Sequence, residues 1–186
     1  MVNKLQRERK GLSVVVSTLI LLVVAILLSS VVTYYATNVT RTRTTVEEAR
    51  FSEERIWVNS TGPVVAFKFQ NLGGRDILID DIRVRGVEIT WSDAYYYRVP
   101  TGTTIMEELN RTSHDYLTGS SVLIDGRNYT QADSEIPLMS GGVIIFYIKG
   151  PSVIQLIDVG TTVNLLLYTN NAQYITEVNV ESATNQ

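Results

Sequence analysis

The sequence predicts an α+β protein in which one long N-terminal helix precedes an all-β sandwich domain. Residues 12–32 carry no formal charge, and no proline or glycine occurs between Leu12 and Trp57. Beyond Trp57 the pattern changes to period-two alternation broken by turn residues, which is typical of strands. The 186 residues therefore divide into a short leader (1–11), a helix (12–56, with a candidate membrane span at 12–32) and a β domain (57–186).

Charge is distributed unevenly along the chain. The formal net charge is -3, but Lys4, Arg7, Arg9 and Lys10 against Glu8 give the first 11 residues +3 and leave -6 for the rest. The acidic body lacks the basic surface that nucleic-acid binding needs, so we expect no nucleic-acid partner. The chain has no cysteine, which excludes a disulfide framework, a thiolate zinc site and a cysteine nucleophile.

The uncharged run from Leu12 to Val32 has the length of a membrane-spanning helix. Its 21 residues match the ~20 that cross a bilayer core. Basic residues precede the run and few follow it closely, so the positive-inside rule places the N-terminus in the cytoplasm and the body outside. An ordinary signal peptide is the alternative, with Ser29-Ser30 as its weak cleavage site. The run is longer than the apolar part of such peptides.

The helix is predicted to continue well past the membrane. Apolar or compact residues recur at spacings of three and four, which is a helical seam. An uninterrupted helix of about 45 residues would be roughly 65–70 Å long. Arg43 with Glu47 and Arg50 with Glu54 would form pairs four residues apart on the polar side. Either a solvated stalk or a helix that packs on other copies fits this pattern. The seam positions are Val32, Tyr35, Val39, Thr42, Val46, Ala49, Glu53 and Ile56.

The remaining 130 residues predict about seven to nine strands joined by short turns, an immunoglobulin-like sandwich. Val65, Phe67 and Phe69 alternate on one face of an early strand. The phase of the next strand breaks at Asp80-Asp81, where we expect a β-bulge. The segment 143–148 is apolar on both faces, so it predicts a central strand.

The residues do not form a catalytic or metal-binding pattern. His114 is the only histidine and falls in a long polar connection, where a solvated surface position is expected. Asp76, Asp80 and Asp81 have the chemistry of calcium ligands, but they lack the spacing of a calcium loop, and solvated acids explain them better. We therefore expect no enzyme activity, no cofactor and no metal.

Four N-glycosylation sequons follow the apolar run: Asn38-Val-Thr, Asn59-Ser-Thr, Asn110-Arg-Thr and Asn128-Tyr-Thr. All four lie on the predicted extracellular side, where glycosylation would occur. Asn110 and Asn128, in turn-rich stretches, are better candidates than Asn38, which a helix bundle would crowd. Unmodified asparagines that form hydrogen bonds in turns are the alternative.

The junction Lys10-Gly11-Leu12-Ser13, between a basic cluster and about twenty apolar residues, resembles the leader of type IV pilin-like proteins, in particular archaeal pilins and archaellins. The resemblance covers residues 4 to about 50. It implies a class III signal peptide that a prepilin peptidase cuts between Gly11 and Leu12. Val16 stands where bacterial pilins usually have a glutamate, and no cysteine pair closes a C-terminal loop. Both departures favour the archaeal branch.

This resemblance implies a subunit of an extracellular filament, a helical homopolymer assembled through the N-terminal helix with the β domain outside for adhesion. The implied partners are the prepilin peptidase, a pilus assembly ATPase and membrane platform protein, and the lipid bilayer before assembly. The alternative is a bitopic membrane protein outside any filament, whose β domain binds the cell envelope or serves archaellum or secretion machinery.

Overall fold

The computed structural model describes residues 2–103, 105 and 107–183, and it leaves the side chains of residues 2–12 and 42–45 undescribed. The chain forms two compact units, one up to Thr44 and the other from Thr45 onward. The first is a single helix, α1 (Val2–Thr45). The second is a β domain. The predicted α+β class, with one long apolar helix followed by a sandwich-like β domain, is confirmed.

The predicted end of the helix at residue 56 is wrong, because the helix ends at Thr45. Helix α1 ends at Thr45, and residues 49–56, which were predicted to be helical, belong to strand β1 (Ala49–Asn59). The seam positions from Val46 onward are therefore not helical, and Arg50 and Glu54 do not form a helical pair. Residues 49–59 form a strand because they pair with residues 62–71 through nearly their whole length. This tertiary pairing overrides a weak local helix preference.

The described part of the β domain contains eleven strands in one continuous, strongly curved sheet. The order is β4-β3-β10-β11-β1-β2-β9-β5-β7-β6, and β8 pairs with β3. All described pairs are antiparallel except β1 with β11, which join in parallel between residues 56–58 and 180–182. After β1 the strands are β2 (Gly62–Asn71), β3 (Ile77–Val84), β4 (Val87–Glu88), β5 (Ala94–Val99), β6 (Ser121–Ile124), β7 (Arg127–Gln131), β8 (Ile136–Leu138), β9 (Val143–Lys149), β10 (Thr162–Thr169) and β11 (Gln173–Ser182).

The two halves of the curved sheet enclose the main core. Side chains from β1, β2 and β9 meet side chains from β3, β10 and β11, and Phe51, Phe67, Phe69 and Phe146 form the aromatic centre. The alternation predicted for Val65, Phe67 and Phe69 is confirmed, since all three face this core. The sandwich is thus one sheet folded over on itself, linked by the short parallel pairing.

A second core covers the opposite face of β2, β9 and β5. It contains Trp57, Val64, Tyr95, Ile145 and Tyr147 from the sheet, together with Ile105, Leu109 and Leu117 from the long connection after β5. Strand β9 is buried on both faces, as predicted for a central strand. The connection at residues 100–120 is therefore packed onto the sheet through its apolar residues, although most of its residues are polar.

The bulge predicted at Asp80-Asp81 is confirmed. Tyr168 pairs with Asp81 and Thr169 pairs with Ile79, so Asp80 is the extra residue. The bulge shifts the alternation and allows Ile77, Ile79, Ile82 and Val84 all to face the core. The strand count exceeds the seven to nine expected because β1 and the short strands β4, β7 and β8 gave no clear alternating pattern.

We expect the β domain to lose stability at alkaline pH because it buries two tyrosines, Tyr129 and Tyr147. Burial raises the pKa of Tyr129 from 10.0 to about 12, and it raises the pKa of Tyr147 as well. Their rings pack edge to face with centroids 5.1 Å apart. Above pH 10.0 the unfolded chain releases phenolic protons that the folded domain retains, so the free energy of unfolding falls as pH rises towards about 12. Denaturant titrations at stepped pH measure this fall.

Tyr129→Phe provides the control, because it keeps the ring and removes the ionisable hydroxyl. We expect the free energy of unfolding of this variant to fall less steeply with pH between 10.0 and about 12. An unchanged slope would contradict the assignment of the loss to Tyr129.

Candidate functional site

The exposed apolar surface of α1 is the most conspicuous functional feature of the chain. Residues 13–41 form a helix long and apolar enough to span a membrane, and its most apolar stretch of 18 residues has a mean hydropathy of 2.9. Every described side chain from Ser13 to Arg41 is exposed, including long runs of leucine, isoleucine and valine on all sides. A helix that is apolar all round needs lipid or other protein around it. This surface therefore fits a membrane anchor or signal segment.

Five hydroxyl groups of α1 donate hydrogen bonds to backbone carbonyl oxygens within the helix. Ser17 donates to the carbonyl oxygen of Ser13, Ser30 to that of Ile26, and Thr33 to that of Ser29, each at 2.8 Å. Thr18 and Thr37 donate in the same way to carbonyls one turn earlier. In hydrocarbon an unpaired hydroxyl is costly, so this bonding removes a penalty that these five side chains would otherwise incur there.

The predicted cleavage junction lies within α1. The backbone of Lys10, Gly11, Leu12 and Ser13 is helical, and α1 starts before this junction, at Val2. The side chains of Lys10 to Leu12 lie outside the described residues, so the structure places the backbone of the motif only. The cut between Gly11 and Leu12 stays a prediction.

The four sequons lie in different settings. The side-chain oxygen of Asn59, in the β1–β2 turn, accepts from the backbone N–H groups of Thr61 at 3.0 Å and Gly62 at 3.1 Å, and from the Thr61 hydroxyl at 2.7 Å. These bonds leave aside the amide nitrogen, which is the atom that carries an N-linked glycan. Asn110 instead donates through its amide nitrogen to Asp125, so a glycan there would compete with that bond.

The other two sequons lie in regular structure. Asn128 is exposed in β7, a strand rather than the turn that was expected. Asn38 is exposed on α1. Within the isolated chain all four asparagines are at least partly accessible, so the crowding predicted for Asn38 depends on whether α1 packs against other copies.

His114 is not the solvated surface residue that was expected. Its side chain is only 25% exposed and lies against two glycines that leave room for it. A Cβ atom added at Gly62 would come within 2.7 Å of the imidazole ring, and one added at Gly150 within 2.9 Å. His114 thus helps to fix the long connection to the ends of β2 and β9. Sequence alone gave no signal for this role, because the two glycines are distant along the chain.

Two of the three acidic residues considered as calcium ligands have other partners. Asp76 accepts from the backbone N–H of Ser140 at 2.9 Å, and Asp81 forms an ion pair with Arg83 at 2.5 Å. Asp80 is exposed at the bulge. Within residues 2–103, 105 and 107–183 no group of three potential metal ligands converges.

Asn71 has a structural role that the sequence did not predict, since the sequence placed this residue only in a turn. Its side chain is fully buried and donates to the carbonyl oxygens of Arg75 at 2.8 Å, Leu138 at 3.3 Å and Met139 at 3.1 Å. Its own side-chain oxygen accepts from the N–H of Gly73 at 3.0 Å. Asn71 therefore ties the β2–β3 turn to the β8–β9 turn at one end of the sheet. The asparagine before Gly73-Gly74 was the only sequence signal.

No protein-family model and no curated protein sequence matches this chain.

Proposed function

We propose that the chain is a structural subunit of an archaeal type IV pilus-like filament. In this proposal the apolar part of α1 first spans the membrane with its N-terminus in the cytoplasm. After a prepilin peptidase removes residues 1–11, the helix packs with helices of other copies in the filament core. The β domain forms the outer surface and serves adhesion. The process is binding and self-assembly, without chemical turnover.

The observation that carries the proposal is the uniformly exposed apolar helix that follows directly on Lys10-Gly11-Leu12-Ser13. A stalked membrane protein would use the same apolar run as its anchor, but it would need no processing site before that run. Removal of Lys4, Arg7, Arg9 and Lys10 would let the helix leave the bilayer without moving those charges through hydrocarbon, each of which costs several kcal/mol. The cut thus gives the same surface two successive partners, lipid and protein.

The N-terminus of the mature chain provides the test. We expect the protein isolated from shed cell appendages to begin at Leu12. Gly11→Trp should block the cut, because the bulky ring would occupy the position next to the scissile bond, and it should abolish filaments. Mass spectrometry measures the N-terminus, and electron microscopy measures the filaments. The same masses report glycans at Asn38, Asn59, Asn110 or Asn128.

Gln6→Trp is the matched control, since it places the same ring in the leader away from the junction. It should leave both the cut and the filaments intact. An intact Met1 or Val2 terminus on a chain that remains singly embedded in the membrane would contradict the proposal. That result would support the alternative, a bitopic protein that presents the β domain to the envelope or to secretion machinery.

A further inference from the structure

A prominent apolar turn protrudes from the β domain between β9 and β10. We name Leu156, Ile157 and Val159 the apolar turn. Ile157 is 86% exposed, which is more than any other large apolar residue described, including those of α1. Exposed apolar residues that are grouped together on one loop are typical of contact surfaces.

The apolar turn is held rigidly. The backbone N–H of Gln155 donates to Asp158 at 2.8 Å, and Asp158 accepts from Arg85 at 3.0 Å. Arg85 also donates to the carbonyl oxygen of Val153 at 3.0 Å, and Ile154 is buried in the main core. The hydrogen bond from Arg85 lowers the pKa of Asp158, so this carboxylate stays charged and paired at neutral pH. These bonds fix the backbone that carries Ile157 before binding, which lowers the entropic cost of binding.

A mostly apolar pocket lies at the other end of the same sheet. We name this cavity of about 320 Å³ the end pocket. Asn71 fixes one wall through its bonds to Leu138 and Met139, and Arg98 braces the same wall by donating to the carbonyl oxygen of Pro137 at 3.1 Å. The side chain of Met139 is 65% exposed at its rim. Its apolar lining residues are Val99, Pro100, Pro137, Leu138, Met139 and Val143.

The strand register fixes the separation of these two features. Lys149, which leads into the loop of the apolar turn, pairs with Val64 near the start of β2. Val143, which lines the end pocket, pairs with Gln70 near the end of β2. The six residue steps from Val64 to Gln70 span about 20 Å, so the turn and the pocket lie at opposite ends of the sheet and do not meet within one copy.

We propose that the apolar turn of one copy inserts into the end pocket of the next copy. This inference rests on the proposed filament and adds a specific contact between neighbouring β domains. The pocket is at the small end of the range for organic ligands, which suits a few aliphatic side chains. Because Asp158 is already paired with Arg85, the turn enters without carrying an unpaired charge into the contact.

The position of the two surfaces determines the kind of assembly. A contact between different surfaces at opposite ends of a domain is heterologous, and unless the rotation closes a ring it continues indefinitely. Each contact would displace successive copies by about 20 Å or more along the strand direction. This is the property that a filament requires of its subunits.

Cysteine cross-linking of the full chain in membranes or filaments tests the contact directly, because the native chain contains no cysteine. We expect co-expressed Ile157→Cys and Met139→Cys chains to form a disulfide-linked dimer under mild oxidation, while neither variant does so alone. A chain that carries both changes should give a ladder of oligomers. Ile175→Cys, at an isoleucine that is 60% exposed on β11, replaces Ile157→Cys in the control mixture.

Three results would overturn the contact: no dimer in the mixture, equal yield in the control mixture, or closed dimers without a ladder from the doubly substituted chain.

Ile157→Asp should weaken association between β domains by roughly tenfold or more, whereas Ile175→Asp should leave it unchanged. Equal effects of the two would also count against it. If chains cut at Leu12 form filaments without the cross-link, only the contact fails. If the chains stay uncut and do not cross-link, both the contact and the filament fail.

Discussion

Phe67→Ala is expected to destabilise the β domain by about 3–5 kcal/mol. Phe67 is fully buried at the centre of the main core, where its ring stacks on Phe146 at 5.1 Å and meets Phe51 edge to face at 5.4 Å. Both sheet halves contribute side chains to this core, so a cavity there removes contacts from each. Domains of this size have a total stability of about 5–15 kcal/mol, and the loss is a large part of it.

Denaturant titration in detergent solution measures the change through the fluorescence of Trp57, which is buried in the second core. Leu123→Ala is the control, because Leu123 is exposed on β6 and its truncation should cost no more than about 0.5 kcal/mol. A loss below about 1 kcal/mol for Phe67→Ala would show that the site collapses around the smaller side chain.

The sequence predicted the architecture because apolar residues follow a different pattern in each of the two units. A long apolar run without proline or glycine predicts a helix, and this prediction is confirmed as far as Thr45. The alternation of Val65, Phe67 and Phe69 identified β2, and the segment 143–148, which is apolar on both faces, identified β9 almost to its ends. In both cases the local pattern and the tertiary environment agree.

Strand β1 was missed because its alternation is interrupted. Register shifts between Ser52 and Arg55, and Glu53 adopts a positive φ of 57°, so the buried residues Phe51 and Ile56 fall five apart. That spacing hides a period of two, and the charged residues between them look like the polar face of a helix. Threonines at residues 42, 44 and 45 lower helix propensity, and the helix ends there. Only pairing with β2 and β11 identifies the strand.

Some candidate sites are local in sequence and could be predicted, whereas others depend on tertiary structure and could not. The apolar span and the sequons are local features, and the sequence identified them with their residue numbers. The apolar turn, the end pocket and the glycines that receive His114 depend on segments brought together from distant parts of the chain. Arg85 and Asp158, which hold the apolar turn, are 73 residues apart. No local pattern predicts such a pair.

Two sets of apolar residues have separate roles in this chain. The core residues of the β domain are buried by folding of a single copy, whereas the apolar residues of α1 and of the apolar turn remain exposed in it. Folding of a single copy therefore leaves the second set uncovered. In the proposed filament, lipid and then neighbouring copies would cover α1, and the end pocket of the next copy would cover the apolar turn.

Asn71→Ala is expected to destabilise the β domain by about 2–4 kcal/mol and to loosen the end pocket. The change removes the donor for three carbonyl oxygens and the acceptor for the N–H of Gly73, in a site with no exposure to water. The backbone bonds of residue 71 to Gly141 and Gly142 remain, so the β8–β9 turn stays attached but loses its second support. Denaturant titration measures the stability, and hydrogen exchange at residues 138–142 measures the local loosening.

Asn128→Ala is the matched control, since it removes an exposed asparagine from β7 and should change the stability by no more than about 0.5 kcal/mol. Asn71→Asp separates hydrogen bonding from volume, because the shape is kept while the donor is lost and a carboxylate faces carbonyl oxygens. We expect this variant to be destabilised at neutral pH and to recover part of the loss as pH falls, when the protonated carboxyl group can donate again. If Asn71→Asp were as stable as the native chain at neutral pH, the donated bonds would not be what holds the turns together. If Asn71→Ala left exchange at residues 138–142 unchanged, the wall of the end pocket would depend on Arg98 and the backbone instead.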